Sequence, residues 1–355
     1  MDNFRIDSHK LLFHPREVAK WLDGETVYPI YMEVSPAGAC NHRCTFCGLD
    51  YMAYRPHFLD SEILKKRLAE LGKLGLKSIM YAGEGEPLLH KDIAGIINHT
   101  KSSGIDVAIT TNGVLLKKEL FKEISSSVSW IKVSLNAGTP ETYASIHRTK
   151  AADFDRVFDN LASACNHLKA TGDNCTIGAQ MILLPENAHE IEQLANQCRS
   201  IGLRYLVIKP YSQHLKSITH EYEGFDYSPY IRLVDELSKF NDSDFTLIFR
   251  ANTMKKMHRT QRGYQRCLAL PFWSYIDSDG NVWGCSTYLG DERFNYGNIN
   301  DQTFEQIWAG EKRATSMKMV ANELDTECCR MNCRMDEINL YLWELTHPSS
   351  HVNFI

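Results

Sequence analysis

The sequence predicts an α/β protein built on a parallel sheet, and three observations carry that prediction. Six strand-like apolar runs alternate with helical stretches between residues 30 and 209. Each run ends in a polar or glycine-bearing turn, and parallel β/α folds bind their ligands at those strand ends. The first turn is Cys40-Asn-His-Arg-Cys44-Thr-Phe-Cys47, three cysteines spaced C-x3-C-x2-C.

The elements follow in order. Residues 1–28 form an N-terminal extension with a short helix over Pro15–Leu22. Ile30–Ser35 is the first strand and feeds directly into the cysteine loop. Asp60 caps a helix across Ser61–Leu74, where Ile63, Leu64, Leu68 and Leu71 recur at helical spacing, and Gly75 ends it. Ser78–Ala82 is the second strand. Helices near Asp92–Ser103 and Lys117–Ser125 then precede the strands Asp106–Thr110 and Ile131–Leu135. A long helix over Phe154–Ala170 leads to Thr176–Leu183, and one over Ala188–Ile201 leads to Tyr205–Lys209. The strand-end turns after the first are Gly83–Pro87, Thr111–Gly113, Ser134–Asn136, Pro185–Asn187 and Lys209–Gln213. All six should open on one mouth.

The rhythm breaks after residue 215. Residues 216–260 read as a connecting segment, with a helix over Pro229–Lys239 and a short strand over Phe245–Phe249. A basic run (Lys255, Lys256, Arg259, Arg262, Arg266) reads as a solvated linker or helix face. Residues 261–335 read as a small module with its own cysteines, in which Asp277–Asn281 makes a hairpin turn. Residues 336–355 are a terminal helix and tail, packing through Ile338, Leu342 and Leu345.

Composition narrows the function. A net charge of -5 gives no electrostatic case for nucleic acid or an anionic membrane. No run of 18 apolar residues occurs, and the polar start MDNFRIDSHK does not read as a signal peptide, so the cytoplasm is the expected compartment. Of the 11 cysteines, eight fall in two groups: Cys40, Cys44 and Cys47, then Cys267, Cys285, Cys328, Cys329 and Cys333. In a reducing compartment such grouping points to metal or cluster ligation. Cys165, Cys175 and Cys198 stand alone and read as small buried hydrophobes. Three close thiols suit a [4Fe–4S] cube with one open iron or, with His42 as a fourth ligand, zinc.

The CNHRCTFC loop, with Phe46 just before its last cysteine, resembles the C-x3-C-x-aromatic-C motif of the radical S-adenosylmethionine (SAM) enzymes. The resemblance implies a partial (β/α)6 TIM-like barrel over residues 29–215. It also implies that Cys40, Cys44 and Cys47 hold a [4Fe–4S] cluster whose open iron binds SAM. Reductive cleavage of SAM would then yield a 5′-deoxyadenosyl radical that takes a hydrogen atom from substrate. Gly83-Glu84-Gly85-Glu86-Pro87 resembles the family's Gly-Gly-Glu-Pro turn for the methionyl ammonium, with Glu84 where glycine is more usual. Ser134 and Asn136 resemble the positions that meet the SAM ribose and carboxylate, Asn136 replacing the commoner aspartate. Phe46 is the expected adenine neighbour, and Asn112 and Asn187 are weaker correspondences.

Cys267, Asp279-Gly280, Cys285, Tyr296–Ile299 and Ile307-Trp308 resemble the SPASM/Twitch extension of the same family. Four cysteines of a Twitch module hold one auxiliary [4Fe–4S] cluster. Cys333 and Cys329 would complete the set here, with Cys328 the alternative to Cys329. The implied protein is an oxidoreductase- or lyase-type enzyme with a small-molecule substrate such as a sugar, aminosugar or nucleotide-linked sugar. Dehydrogenation, epimerisation, dehydration and decarboxylation are all open to it. An electron donor such as flavodoxin or ferredoxin is the implied partner. A peptide-modifying maturase and a non-catalytic zinc protein are the competing readings. Tyr81, Gln180, Lys209, Tyr211 and Gln213 are the candidate substrate-facing groups.

Overall fold

A computed structural model describes residues 8–257 and 261–354. The opening seven residues and Arg259 of the basic run lie outside the described residues. A single sheet dominates. Its strands are β1 (Tyr31–Val34), β2 (Ser78–Tyr81), β3 (Asp106–Thr111), β4 (Val128–Ser134) and β5 (Thr176–Leu183). They continue as β6 (Tyr205–Pro210), β7 (Thr246–Phe249), β8 (Trp273–Ile276), β9 (Asn281–Trp283) and β10 (Asn295–Asn298). Their spatial order is β10-β9-β8-β1-β2-β3-β4-β5-β6-β7. The sequence order of β1 to β6 is kept in space, as right-handed βαβ units require.

The parallel set is longer than the six strands expected. The connecting-segment strand β7 pairs parallel to β6, Tyr205 to Thr246 and Ile208 to Phe249. On the other side β8 pairs parallel to β1, Tyr31 to Trp273 and Val34 to Ile276. Only β9 and β10 run antiparallel to their neighbours. The C-terminal hairpin therefore continues the barrel sheet, where the sequence suggested an appended unit. β7 escaped the βα rhythm because the residues before it hold short turns and the five-residue helix Leu233–Leu237 in place of the long helix expected there.

Helices pack on the outer face. They are α1 (Pro15–Leu22), α2 (Ser61–Lys73), α3 (Ile93–Ser102), α4 (Lys118–Ile124), α5 (Pro140–His147), α6 (Ala152–Thr171) and α7 (Ile191–Ser200). Asp60 caps α2 by accepting from the amides of Glu62 and Ile63 at 2.9 Å each. Leu64, Leu68 and Leu71 of α2 are buried against the sheet, each contributing about 1.5–3 kcal/mol. Gly75 takes φ +94° directly after the helix, a conformation that a Cβ would strain.

Strand alternation sorts the side chains. Ile131 and Val133, Ile177 and Ala179, and Leu206 and Ile208 join the core under the helices. Trp130, Lys132 and Ser134, Gly178 and Gln180, and Tyr205, Val207 and Lys209 therefore face the barrel interior. Tyr205, Val207 and Ile248 form an apolar floor there. Tyr81 has the outward parity: it is fully buried and its hydroxyl meets Thr100 of α3 at 2.6 Å. It is thus removed from the substrate-facing candidates. Cys165, Cys175 and Cys198 are buried as expected.

The two ends of the chain meet. Leu11, Val18, Val27 and Ile30 pack with Phe272 and with Leu342 of the terminal helix Asp336–Thr346. Leu345 is 41% exposed and takes no part in that contact.

Candidate functional site

The β2 to β5 turns reach the cysteine loop, as does the chain just past the β6 turn. From the β2 turn, the Glu86 amide donates to the Ala39 carbonyl at 2.8 Å. A Cβ on Gly85 would lie 2.3 Å from the carbonyl oxygens of Ala37 and Ala39, so only glycine lets the turn approach this closely. From the β3 turn, Asn112 Nδ2 donates to Asn41 Oδ1 at 2.7 Å. From the β5 turn, Glu186 accepts from Tyr222, whose hydroxyl also meets Thr45 at 2.9 Å. After β6, Ser217 donates to the Cys47 carbonyl, while Asp50 accepts from Ser217, Ile218 and Thr219.

The β4 turn works through a helix the sequence reading omitted. In α5, Thr139 caps the start and Pro140 fills the first position. Its last carbonyls accept from the loop, Ile146 from the Thr45 amide at 2.9 Å and His147 from the Arg43 amide at 3.1 Å. His147 then places Nδ1 3.2 Å from Cys44 Sγ and Nε2 3.0 Å from the Leu135 carbonyl. Burial, reinforced by His42, lowers the His147 pKa to about 3, so the ring is neutral. Phe46 sets its ring edge-on to His147 at 5.6 Å. The Thr-Pro-Glu run was the available signal for this helix.

Several correspondences carried from the family motif already have protein partners. Glu86 accepts from Thr111, the Asn112 amide and the Leu88 amide. Glu84 turns to the C-terminal hairpin, accepting from the Ser278 amide at 2.9 Å and the Tyr275 hydroxyl at 3.0 Å. Asn136 sits at φ +58° and accepts from the Ile182 amide at 2.7 Å. Asparagine tolerates that left-handed backbone better than most residues. Asn187 closes the same knot, donating to the carbonyls of Asn136 and Ile182. Among the described residues Ser134 and Gln180, side by side in the β4–β5 register, make no side-chain hydrogen bond. Tyr211 and Gln213 pair with each other at 2.8 Å.

The thiols suit a polynuclear metal group. Cys40, Cys44 and Cys47 are free, and burial raises the pKa of each, that of Cys40 to about 11. Cys44 is raised further by its two partners. Thiols that oppose one another's ionisation are what a cationic cluster would relieve. His42, Cys44 and His147 bring their ligand atoms within 4.8 Å of one another, and among the described residues Cys40 and Cys47 do not join that group.

The distal cysteines also come together. Burial raises the pKa of Cys267, Cys285 and Cys333, and neighbouring thiols, Cys329 among them, add to each. Cys328 is exposed and turns to Asp325 at 3.3 Å. Arg262, read as part of a solvated run, is instead 2% exposed and donates to the carbonyls of Cys329 and Arg330, to Tyr264 and to Asp336. Asn339 accepts from the amides of Leu268 and Ala269 and directs its Nδ2 at Cys267 Sγ, 3.6 Å away.

Comparison with known proteins agrees with this geometry. Residues 34–198 match the family model of the radical SAM superfamily, and residues 267–334 match SPASM, an iron–sulfur cluster-binding domain. The chain belongs to the radical SAM superfamily. It is a mixed α/β member with a partial TIM-like barrel and a C-terminal SPASM module; the radical SAM domain implies SAM and a [4Fe–4S] cluster, and the SPASM domain an auxiliary iron–sulfur cluster. The GTP 3′,8-cyclase of Chlorobaculum tepidum is 31% identical over 188 residues, 52% of this chain and 55% of that protein. The chain thus spans little more than half of that relative's length. A Pyrococcus furiosus protein described as the tungsten-containing aldehyde ferredoxin oxidoreductase cofactor-modifying protein is 22% identical over 328 residues, 86% of this chain and 87% of that one. Streptococcus suis SuiB bound to S-adenosylmethionine superposes with a TM-score of 0.67 at 18% identity, covering 95% of this chain and 79% of that one. At such identity this likeness speaks for the fold alone. No described helix is long and apolar enough to cross a membrane.

Proposed function

We propose that this radical SAM enzyme abstracts hydrogen from a small molecule held in the barrel beneath the cysteine loop, with sugars, aminosugars and nucleotide-linked sugars the first classes to test. One observation carries the reading. The β2 to β5 turns, and Ser217 four residues past the β6 turn, bond directly or through one residue to the loop bearing Cys40, Cys44 and Cys47, above a polar interior. When bound, the cluster and SAM supply a reductively generated 5′-deoxyadenosyl radical. The chain's own residues hold the loop, leave the Ser134 hydroxyl and the Gln180 amide open to the interior, and exclude water through the apolar floor of Tyr205, Val207 and Ile248. Four converging thiols in the SPASM module leave no cluster position for substrate, which supports an electron-transfer role there, with flavodoxin or ferredoxin as the class of external donor. The reducing cytoplasm suits a chain whose 11 cysteines are all free.

The test is direct. Anaerobically reconstituted protein with dithionite and SAM should form 5′-deoxyadenosine, and Cys40→Ala/Cys44→Ala/Cys47→Ala should form none. Deuterium from a labelled sugar should appear in 5′-deoxyadenosine. A colourless protein holding zinc and no iron would end the enzyme reading.

A further inference from the structure

The barrel interior carries inward cations on two strands that neither the family match nor the site geometry accounts for. Lys132 on β4 and Lys209 on β6 both face inward by strand parity. Among the described residues neither ammonium has a carboxylate within 4.0 Å or a hydrogen-bond acceptor within 3.5 Å. Lys132 lies 5.7 Å from the Trp130 ring, and the Glu33 carboxylate of β1, already paired with Arg334, acts on it through space. Three arginines lie within electrostatic reach of Lys209: Arg250 just past β7, and Arg330 and Arg334 from the C-terminal module. Arg334 is matched already, since it pairs with Glu33 of β1 and donates to Tyr31 at 2.8 Å. Arg330 is only anchored, donating to the hydroxyl and carbonyl of Ser212 at 2.8 and 2.7 Å, so its charge has no counterion in those contacts.

Clustered like charges with no directly paired counterion raise the energy of the empty protein. Burial lowers the Lys132 pKa to about 8, with Arg334 and Arg250 adding and Glu33 opposing, and it lowers that of Lys209 well below its ordinary value, with Lys132 and the three arginines adding. Such an arrangement is disfavoured unless something negative enters it. The two lysines also lie where a ligand can reach them. Lys132 is two residues before Ser134 on the same strand face, roughly 6.6 Å deeper, and Lys209 lies two residues past the Ser134–Gln180–Val207 level toward the mouth.

We propose that Lys132 and Lys209, with Arg330, form an anion site inside the barrel and that the substrate carries a phosphate or pyrophosphate ester there. The proposal rests on the enzyme reading above and narrows its substrate class. A group with two negative charges matches two unpaired ammoniums, whereas a single carboxylate would leave one lysine uncompensated. Lysines serve phosphate as point charges, and Arg330 keeps donors beyond those given to Ser212.

The experiment compares the reconstituted holoenzyme with Lys132→Met/Lys209→Met and, as a control, Lys318→Met on the exposed face of the module. Inorganic pyrophosphate should raise the melting temperature of wild type and the control by several degrees, with an apparent affinity that falls as salt rises. The double variant should bind pyrophosphate at least tenfold more weakly. Glucose 1-phosphate should reproduce the stabilisation, and glucose and glucuronate should not. An unchanged pyrophosphate shift in the double variant would overturn the site, as would equal stabilisation by glucose. Stabilisation by glucuronate without glucose 1-phosphate would overturn the phosphate assignment. A parallel tenfold loss of SAM affinity in the double variant would reassign the lysines to the cofactor and overturn the substrate claim. The enzyme reading fails separately, through a wild type that makes no 5′-deoxyadenosine.

Discussion

The two cysteine groups are built in opposite ways. Cys40, Cys44 and Cys47 lie within eight consecutive residues, and the turns of the barrel brace them from every side. Cys267, Cys285, Cys329 and Cys333 come from three separate segments, joined by long-range contacts from Arg262, Tyr288 and Asn339. The first group is a loop clamped by a finished fold. The second is a meeting point that closes only when distant chain segments arrive together. A local group keeps its spacing when one brace is lost; a meeting point depends on each segment that enters it.

The largest test of that difference separates the adjacent pair. Cys329→Ala should bring iron in the reconstituted protein from about eight to about four per chain, the content of one [4Fe–4S] cluster. Cys328→Ala should leave it near eight, because Cys328 is exposed and turns to Asp325. Equal losses in both variants, measured by iron and sulfide assay, would show that the segment carrying them arranges itself differently once loaded.

Brace removal sharpens the contrast. Arg262→Met deletes buried bonds to two carbonyls, Tyr264 and Asp336, at a cost of about 3 kcal/mol. It should also speed loss of half the iron to a chelator, since the Cys329 segment loses its tie. Asn136→Ala orphans the buried Ile182 amide and places alanine at positive φ, costing about 2 kcal/mol. That variant should unfold earlier in urea yet release its iron at the ordinary rate until it does. Early iron release from Asn136→Ala would mean that the first group is as dependent on single braces as the second.

How much of this was legible follows from how local each feature is. The cysteine loop, the limits of β5 and the helix Pro15–Leu22 rest on spacing, apolar runs and a proline start, and they coincide with the structure. β8 is a short strand whose parallel partner β1 is remote in sequence, and β7 follows short helical turns in place of a full crossover helix, so no periodicity announces that they extend the sheet. Tyr81 was placed on the substrate side because it ends a strand, but a one-residue change of parity moves a side chain to the other face. Arg262 looked like one of a solvated run, and only its long-range partners at Cys329 and Asp336 show a buried strut. Lys132 passed unnoticed because an inward lysine in a strand has no sequence signature; its meaning comes from the cations around it.

The smallest expected effect concerns a residue that, like Arg330 and Arg334, joins the two regions. Glu84 belongs to the turn beside the first cysteine group, and its carboxylate accepts from Ser278 and Tyr275 at the hairpin leading to the second. The departure from glycine at this position thus supplies a tie between the core and the module. Glu84→Gln keeps the shape but removes the charge from both bonds, and Tyr275→Phe removes one donor alone. A double-mutant cycle on urea stability should give a coupling of about 1 kcal/mol between the two positions. Additivity would reduce the Glu84–Tyr275 contact to proximity, leaving the β1–β8 pairing, Arg330–Ser212 and Arg334–Glu33 as links between core and module. A clear coupling would make Glu84 part of how the hairpin is seated against the barrel. The two regions could then not be varied as independent parts, even though one is local and the other is assembled.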